Sequence, residues 1–118
     1  MYFDKIFKEG QQIAHSFHDI YQALNKPIVV GTGLSGSLAI AILHQYYKFP
    51  FIIIRKDSDK SHGSKYECHD VVFAANDNHY LIVDDQICSG DTVDRIIKDM
   101  KEFYTELFPC GAFLYQYC

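Results

Sequence analysis

Short apolar runs alternate with amphipathic stretches along this chain, and the alternation predicts strands followed by helices. Residues 3–24 place apolar side chains three and four positions apart, which predicts a helix covering one face of a sheet, with a weak point at Gly10. Pro27 favours a helix end just before it, because proline disfavours helical backbone at the preceding residue. Residues 28–30 then form the first apolar run short enough for a buried strand.

The later runs complete a repeating order of strand and helix. Apolar or β-branched content predicts strands at 51–54, 71–74, 80–83 and 111–115. A tight polar turn is predicted between the strands at 71–74 and 80–83. Helical spacing predicts helices at 38–47 and from about residue 93 to 107, the latter ended by Pro109. The pattern predicts one α/β domain over residues 1–118, an open parallel sheet flanked by helices.

Composition narrows the class of protein. The chain has 118 residues, of which 48% are hydrophobic, enough for one domain with a sizeable core. Its net charge of −4 gives no overall positive field for nucleic acid. No apolar run reaches the roughly 18 residues of a membrane span, and the N-terminus lacks the features of a signal peptide.

Four cysteines are present, and none forms a Cys-x-x-Cys pair. Reduced thiols in a cytoplasmic protein are therefore expected. Zinc could in principle be bound by Cys68, His69, His79 and Cys88, but their spacing matches no trusted zinc pattern.

Two adjacent carboxylates, Asp84 and Asp85, close the strand predicted at 80–83, and a small polar turn leads from them into the next helix. Free backbone N–H groups and the helix dipole make such a turn an anion site suited to phosphate. Ser89 and Thr92 add hydroxyl donors, and Gly90 permits a tight turn. The carboxylates can accept from ribose hydroxyls or face hydrated Mg²⁺. A sugar phosphate with vicinal hydroxyls fits this arrangement.

The run Leu81-Ile82-Val83-Asp84-Asp85-x-x-x-Ser89-Gly90-x-Thr92 resembles the phosphoribosyl-diphosphate (PRPP) signature of type I phosphoribosyltransferases. The resemblance implies Mg²⁺ held through water by Asp84 and Asp85, with Asp85 also catalytic. The residues it implies for the ribose and 5-phosphate are Asp84, Asp85, Cys88, Ser89, Gly90, Asp91 and Thr92. Taken alone, the motif leaves open the acidic strand end of another doubly wound domain, as in response regulators or magnesium-dependent phosphatases.

A glycine-rich segment, residues 31–37, follows the first strand and suggests a second anion cradle. Its Gly-x-Gly-x-x-Gly pattern is a weak dinucleotide signal, and the next strand leads into the basic Arg55 and Lys56 rather than an acid. The segment resembles the diphosphate loop of phosphoribosyltransferases, which uses backbone amides and commonly holds a cis peptide. The residues so implied for diphosphate are Thr32, Gly33, Leu34, Ser35 and Gly36, with Arg55 and Lys56.

Residues 55–65 are polar, lack periodicity and hold four cations, which predicts a mobile loop. A solvated surface connection is one interpretation. The other follows from Lys60-x-His62-Gly63, which together with Arg55 and Lys56 resembles the flexible catalytic loop of orotate-type phosphoribosyltransferases. That resemblance implies Lys56, Lys60 and His62 as catalytic cations that neutralise the departing diphosphate. The loop is one residue longer here than in that family.

The three segments occur in the family's order and imply an enzyme. The implied reaction is Mg²⁺-dependent transfer of the 5-phosphoribosyl group from PRPP to a nitrogenous base, with release of diphosphate. The implied partners are PRPP and a nucleobase or related acceptor. Because members of the family often dimerise, the resemblance also implies a possible homodimer. The alternative is a non-catalytic PRPP- or nucleotide-binding sensor on the same fold.

The base is the least specified part. Members of the family bind the base with an additional segment, called the hood, which is expected to be reduced in this sequence. The motif Lys60-x-His62-Gly63 slightly favours an orotate-like pyrimidine as the acceptor. Phe113, Tyr115 and Tyr117 could stack on a base near the last strand. Core or dimer contacts are the preferred interpretation of these three rings.

Overall fold

A computed structural model describes residues 4–54, 66–70, 78–85 and 90–115. The helices in this part of the chain are α1 (Asp4–Lys8), α2 (Gly10–Ala23), α3 (Gly33–Tyr46) and α4 (Asp91–Phe103). The strands are β1 (Ile28–Thr32), β2 (Phe51–Ile54), β3 (Tyr66–Asp70), β4 (His79–Asp84) and β5 (Phe108–Leu114).

The described strands form one sheet in the order β3-β2-β1-β4-β5. Strands β2, β1, β4 and β5 run parallel, which confirms the predicted α/β fold with an open parallel sheet. Strand β3 is antiparallel to β2, with Asp70 opposite Phe51, and was not predicted. Its sequence is mostly polar, so it carries no apolar run that would mark it. The strand expected at 71–74 and the turn after it lie outside the described residues.

Each face of the sheet is covered by helices, which explains why β1 is buried along its whole length and β4 everywhere except at His79. Helices α1, α2 and α3 pack on one face, where Phe17 of α2 contacts the rings of Phe49 and Phe113. Helix α4 packs on the other face through Ile96 and Met100. No helix in the described ranges is long and apolar enough to cross a membrane.

The helix predicted over residues 3–24 is interrupted near the expected weak point. The interruption falls at Glu9, just before Gly10, and divides the segment into α1 and α2. Gly10 is buried against α3, where an added Cβ would lie 3.0 Å from Ile42 Cγ2. At the other end, Asn25 and Lys26 adopt positive φ angles of 66° and 56° and lead the chain into β1.

Helix α3 crosses the sheet at a contact between two glycines. A Cβ added to Gly36 would lie 3.2 Å from Gly31 Cα and 3.4 Å from the Val83 carbonyl oxygen. These are backbone atoms of β1 and β4, so a side chain here would push the helix off the sheet. The absence of side chains at Gly31 and Gly36 therefore seats the first turn of α3 directly on the ends of β1 and β4.

Candidate active site

The chain reverses its direction across the sheet between β1 and β4, and this point defines a crevice. From β1 the chain passes through α3 to β2 on one side, while from β4 it passes through α4 to β5 on the other. Open α/β sheets bind ligands at the carboxyl ends of the strands that flank such a switch point. The predicted phosphate segments both begin at this edge.

Residues 33–36 form the first turn of α3 rather than the loop that was predicted. Strand β1 ends at Thr32 and α3 begins at Gly33, not at Leu38 as expected. Gly33 makes the change of direction with a φ of +69°, which glycine adopts at no steric cost. The Ser37 hydroxyl then donates to the Gly33 carbonyl oxygen at 2.6 Å. The peptide bonds of the described residues are all trans.

The first turn of α3 presents backbone donors. The N–H groups of Gly33, Leu34 and Ser35 have no carbonyl within the helix to bond, because helix geometry supplies none to the first turn. The N-cap residue Thr32 makes no side-chain capping bond, and the turn contains no acidic residue to oppose the positive end of the helix dipole. An anion, such as one end of a diphosphate, fits this position.

Several residues of the predicted diphosphate segment make contacts within the fold or with solvent. The Thr32 hydroxyl, in a buried residue, donates to the Ile54 carbonyl oxygen at 2.7 Å and ties the ends of β1 and β2 together. Gly36 packs on Gly31, and Leu34 is 61% exposed. The segment therefore offers a ligand its backbone and the Ser35 hydroxyl rather than the Thr32 side chain.

The acidic pair, Asp84 and Asp85, lies at the end of β4 beside this turn. Asp84 is buried and Asp85 is half-buried. The Ser35 hydroxyl donates to Asp85 Oδ2 at 3.3 Å, which joins α3 to the acidic pair across a separation of 50 residues. The structure thus brings Ser35, predicted for the diphosphate, into contact with Asp85, predicted for the ribose and Mg²⁺.

Tyr115, just past β5, contacts the candidate site in a way that sequence reasoning, which considered its ring only for stacking on a base or for core or dimer contacts, did not identify. Its ring is buried, in agreement with the preferred core interpretation, but its hydroxyl donates to the Ser35 carbonyl oxygen at 3.2 Å. Its backbone N–H donates to the Asp84 carbonyl oxygen at 3.3 Å. Burial, with the nearby charges of Asp85 and Asp84, raises the pKa of Tyr115 far above its ordinary value, and the Ser35 side chain opposes this only in part. The phenol therefore stays protonated and remains a donor.

The start of α4 supplies the other side of the crevice. Gly90 caps the helix with a φ of +83°, and its carbonyl oxygen accepts from Asp94 N–H at 3.0 Å. Thr92 is half-buried, whereas Asp91 and Asp94 are exposed acids of the first turn and partly oppose a phosphate there. The remaining predicted ligands and cations lie outside the described residues: Cys88, Ser89, Arg55, Lys56, Lys60 and His62.

The carboxylates at the crevice suit Mg²⁺, which keeps water ligands, better than a metal ion whose ligands are all protein side chains. Among the residues whose side chains are described, no group of three or more His, Cys, Asp or Glu comes together. The acidic pair supplies two carboxylates, and Mg²⁺ is usually bound through one or two carboxylates together with water and substrate phosphates. Of the four residues considered for zinc, only His79 has a described side chain, and it is exposed.

Solved structures of phosphoribosyltransferases have the same fold. One from Corynebacterium diphtheriae superposes with a TM-score of 0.63 at 18% identity, over 85% of this chain and 60% of that one. An orotate phosphoribosyltransferase from Aeropyrum pernix gives 0.57 at 18% identity, over 96% and 55%. A purine phosphoribosyltransferase from Pyrococcus horikoshii gives 0.56 at 16% identity, over 92% and 83%.

These matches confirm the predicted resemblance to type I phosphoribosyltransferases at the level of the fold. The chain spans 60% and 55% of the lengths of the first two. No protein-family model matches the sequence, and no curated protein matches it.

Proposed function

We propose that this chain is a phosphoribosyltransferase, which transfers the 5-phosphoribosyl group of PRPP to a nitrogenous base and releases diphosphate. The observation that carries the proposal is the contact between Ser35 and Asp85. It brings the N-terminus of α3, whose N-cap residue makes no side-chain capping bond and which suits a diphosphate, next to an acidic pair suited to ribose hydroxyls and Mg²⁺. PRPP contains all of these groups in one molecule.

Each part of the crevice has a role in such a reaction. The bond between the anomeric carbon and diphosphate breaks, a ring nitrogen of the base bonds to that carbon, and negative charge grows on the departing diphosphate. Donors fixed at the first turn of α3 would stabilise this charge without reorganising. Asp84 and Asp85 would accept from the ribose hydroxyls and hold Mg²⁺ through water, and the turn before α4 would take the 5-phosphate. When bound, Mg²⁺ would neutralise charge on the diphosphate.

Several parts of the proposal stay predictions from the sequence. Lys56, Lys60 and His62 are proposed to act on the departing diphosphate, with Arg55 beside them. Cys88 and Ser89 are proposed for the 5-phosphate. A cytoplasmic location and a homodimer also belong to the proposal, and the acceptor base is left to experiment.

The proposal is tested by supplying PRPP and Mg²⁺ with one acceptor at a time and measuring released diphosphate. The panel is orotate, uracil, adenine, hypoxanthine, guanine, xanthine and nicotinate. We expect release above background with one acceptor or a closely related set, and none without a base. The Asp84→Asn, Asp85→Asn double variant should lose this release. Binding of PRPP without turnover of any acceptor would replace the enzyme with the sensor alternative.

A further inference from the structure

Tyr115 lies where three elements of the crevice meet. It follows β5, its side chain reaches the first turn of α3, and its backbone bonds the end of β4. Ser35, whose carbonyl oxygen accepts from the Tyr115 hydroxyl, also donates through its own hydroxyl to Asp85. Tyr115, Ser35 and Asp85 therefore form a hydrogen-bonded chain across β5, α3 and β4.

We propose that Tyr115 is a positioning residue, which holds the first turn of α3 against the acidic pair and so fixes the end of the crevice that takes the diphosphate. This inference rests on the proposed function. It predicts that Tyr115 affects the affinity for the diphosphate end of a ligand and has little effect on the affinity for the ribose-phosphate end.

The hydroxyl of Tyr115 is not needed to fill the core. Phe113, two residues earlier, packs in the same core and carries no polar group. A phenylalanine at 115 would occupy nearly the same volume without the cost of burying a hydroxyl. The tyrosine hydroxyl is instead bonded to the Ser35 carbonyl, whose peptide unit joins Ser35 to Gly36. That peptide is in the turn whose N–H groups face the crevice.

Tyr115 adds to this turn an orienting restraint that the glycine contact does not supply. Contact between Gly36 and Gly31 sets how closely α3 approaches the sheet, but glycine surfaces have no side chain to resist rotation or sliding. The bonds donated by the Tyr115 and Ser35 hydroxyls, at 3.2 Å and 3.3 Å, are both long for O–H donors, so distance does not rank them. The Tyr115 bond is anchored by a ring that is 3% exposed, so it restrains the turn from a rigid base.

The test compares Tyr115→Phe with Tyr80→Phe as a matched control. Tyr80 is equally buried, but it lies at the other end of β4 and packs on the opposite face of the sheet. Binding of PRPP, inorganic diphosphate and ribose 5-phosphate is measured with Mg²⁺ present. We expect Tyr115→Phe to bind PRPP and diphosphate about tenfold more weakly, the effect of about one hydrogen bond. Ribose 5-phosphate should change by less than about twofold, and Tyr80→Phe should match the wild type.

A second readout is independent of PRPP. In the ligand-free protein, the Gly36 amide and Asp85 carboxyl NMR signals should move in Tyr115→Phe and stay in place in Tyr80→Phe. Equal weakening of all three ligands, or unchanged Gly36 and Asp85 signals, would overturn the inference. If the wild type binds no PRPP, the proposed function fails, and the role of Tyr115 in holding the turn is decided by these two signals.

Discussion

At the scale of single residues, the crevice depends on groups that bond to one another before any ligand arrives. Asp84 and Asp85 could be predicted as candidate site residues because they are adjacent in the sequence and end an apolar run. The contact that Tyr115 makes with the site could not, because its hydroxyl partner lies 80 residues away and only the folded sheet brings the two together. Thr32 was assigned to the diphosphate segment, whose predicted contacts use backbone amides, and its hydroxyl donates to the Ile54 carbonyl oxygen.

Buried tyrosines predict a loss of stability in alkali. Burial raises the pKa of Tyr80 and Tyr104 above 10.0, and raises that of Tyr115 further. The folded protein keeps these protons after the unfolded chain has lost them, so their contribution is complete below pH 10 and decreases above it. Each proton adds a slope of at most about 1.4 kcal/mol per pH unit.

Urea unfolding between pH 8 and pH 11 measures this slope. The Tyr80→Phe, Tyr115→Phe double variant should show a flatter decrease of the unfolding free energy above pH 10 than the wild type. A double variant that retains the full wild-type slope would contradict the assignment of the slope to these two buried phenols.

At the scale of elements, sequence patterns identified the parallel strands of the sheet. They missed the start of α3 and the strand β3, whose conformations depend on tertiary packing. Glycines at 31, 33 and 36 suggested a loop, because glycine weakens an isolated helix. In the fold, Gly36 is required for α3 to sit on β1, and that packing outweighs the propensity. The polar edge strand β3 was missed because its partner β2 organises it and its own sequence carries no strand pattern.

Replacing Gly36 with alanine tests the close approach of α3 to the sheet. Alanine would gain about 1 kcal/mol in helix propensity, but its Cβ would meet the backbone of β1 and β4, and overpacking of this kind costs about 1–3 kcal/mol. We expect a net loss of unfolding free energy, measured by urea or thermal unfolding.

Gly111→Ala is the control for Gly36→Ala. Its Cβ would lie 3.7 Å from Leu81 Cδ1, an ordinary contact, so its unfolding free energy should be equal to or slightly above that of the wild type. A Gly36→Ala protein as stable as the Gly111→Ala protein would show that α3 does not need the glycine contact.

The basic segment 55–65 lies outside the described residues, and its role is tested kinetically. If its cations act on charge that develops during the reaction, Lys60→Ala and His62→Ala should lower kcat by about one to three orders of magnitude, or about 1.4 to 4 kcal/mol. PRPP affinity should change much less. The control is Lys101→Ala, which removes one positive charge from an exposed lysine in the last turn of α4. This variant should have wild-type kcat. Loss of PRPP affinity at unchanged kcat would place the segment in ground-state binding instead.

At the scale of the whole molecule, the alternating apolar runs and the order of the three loops predicted an open parallel sheet flanked by helices, and the described sheet has helices on both faces. The two cores hold the ends of β1 and β4 together, and Gly33 and Gly90 turn the chain from those strands towards α3 and α4. The crevice between the helix starts is thus a consequence of strand order.

The most direct test of the central claim is thermal unfolding of the wild type and the Asp84→Asn, Asp85→Asn variant, with and without PRPP and Mg²⁺. A ligand that binds only the folded state, at about 100 times its dissociation constant, should add roughly 2.7 kcal/mol to the unfolding free energy. We predict that the wild-type melting temperature rises with PRPP concentration and that the variant does not respond. A wild-type melting temperature that stays constant across millimolar PRPP with Mg²⁺ would contradict the account.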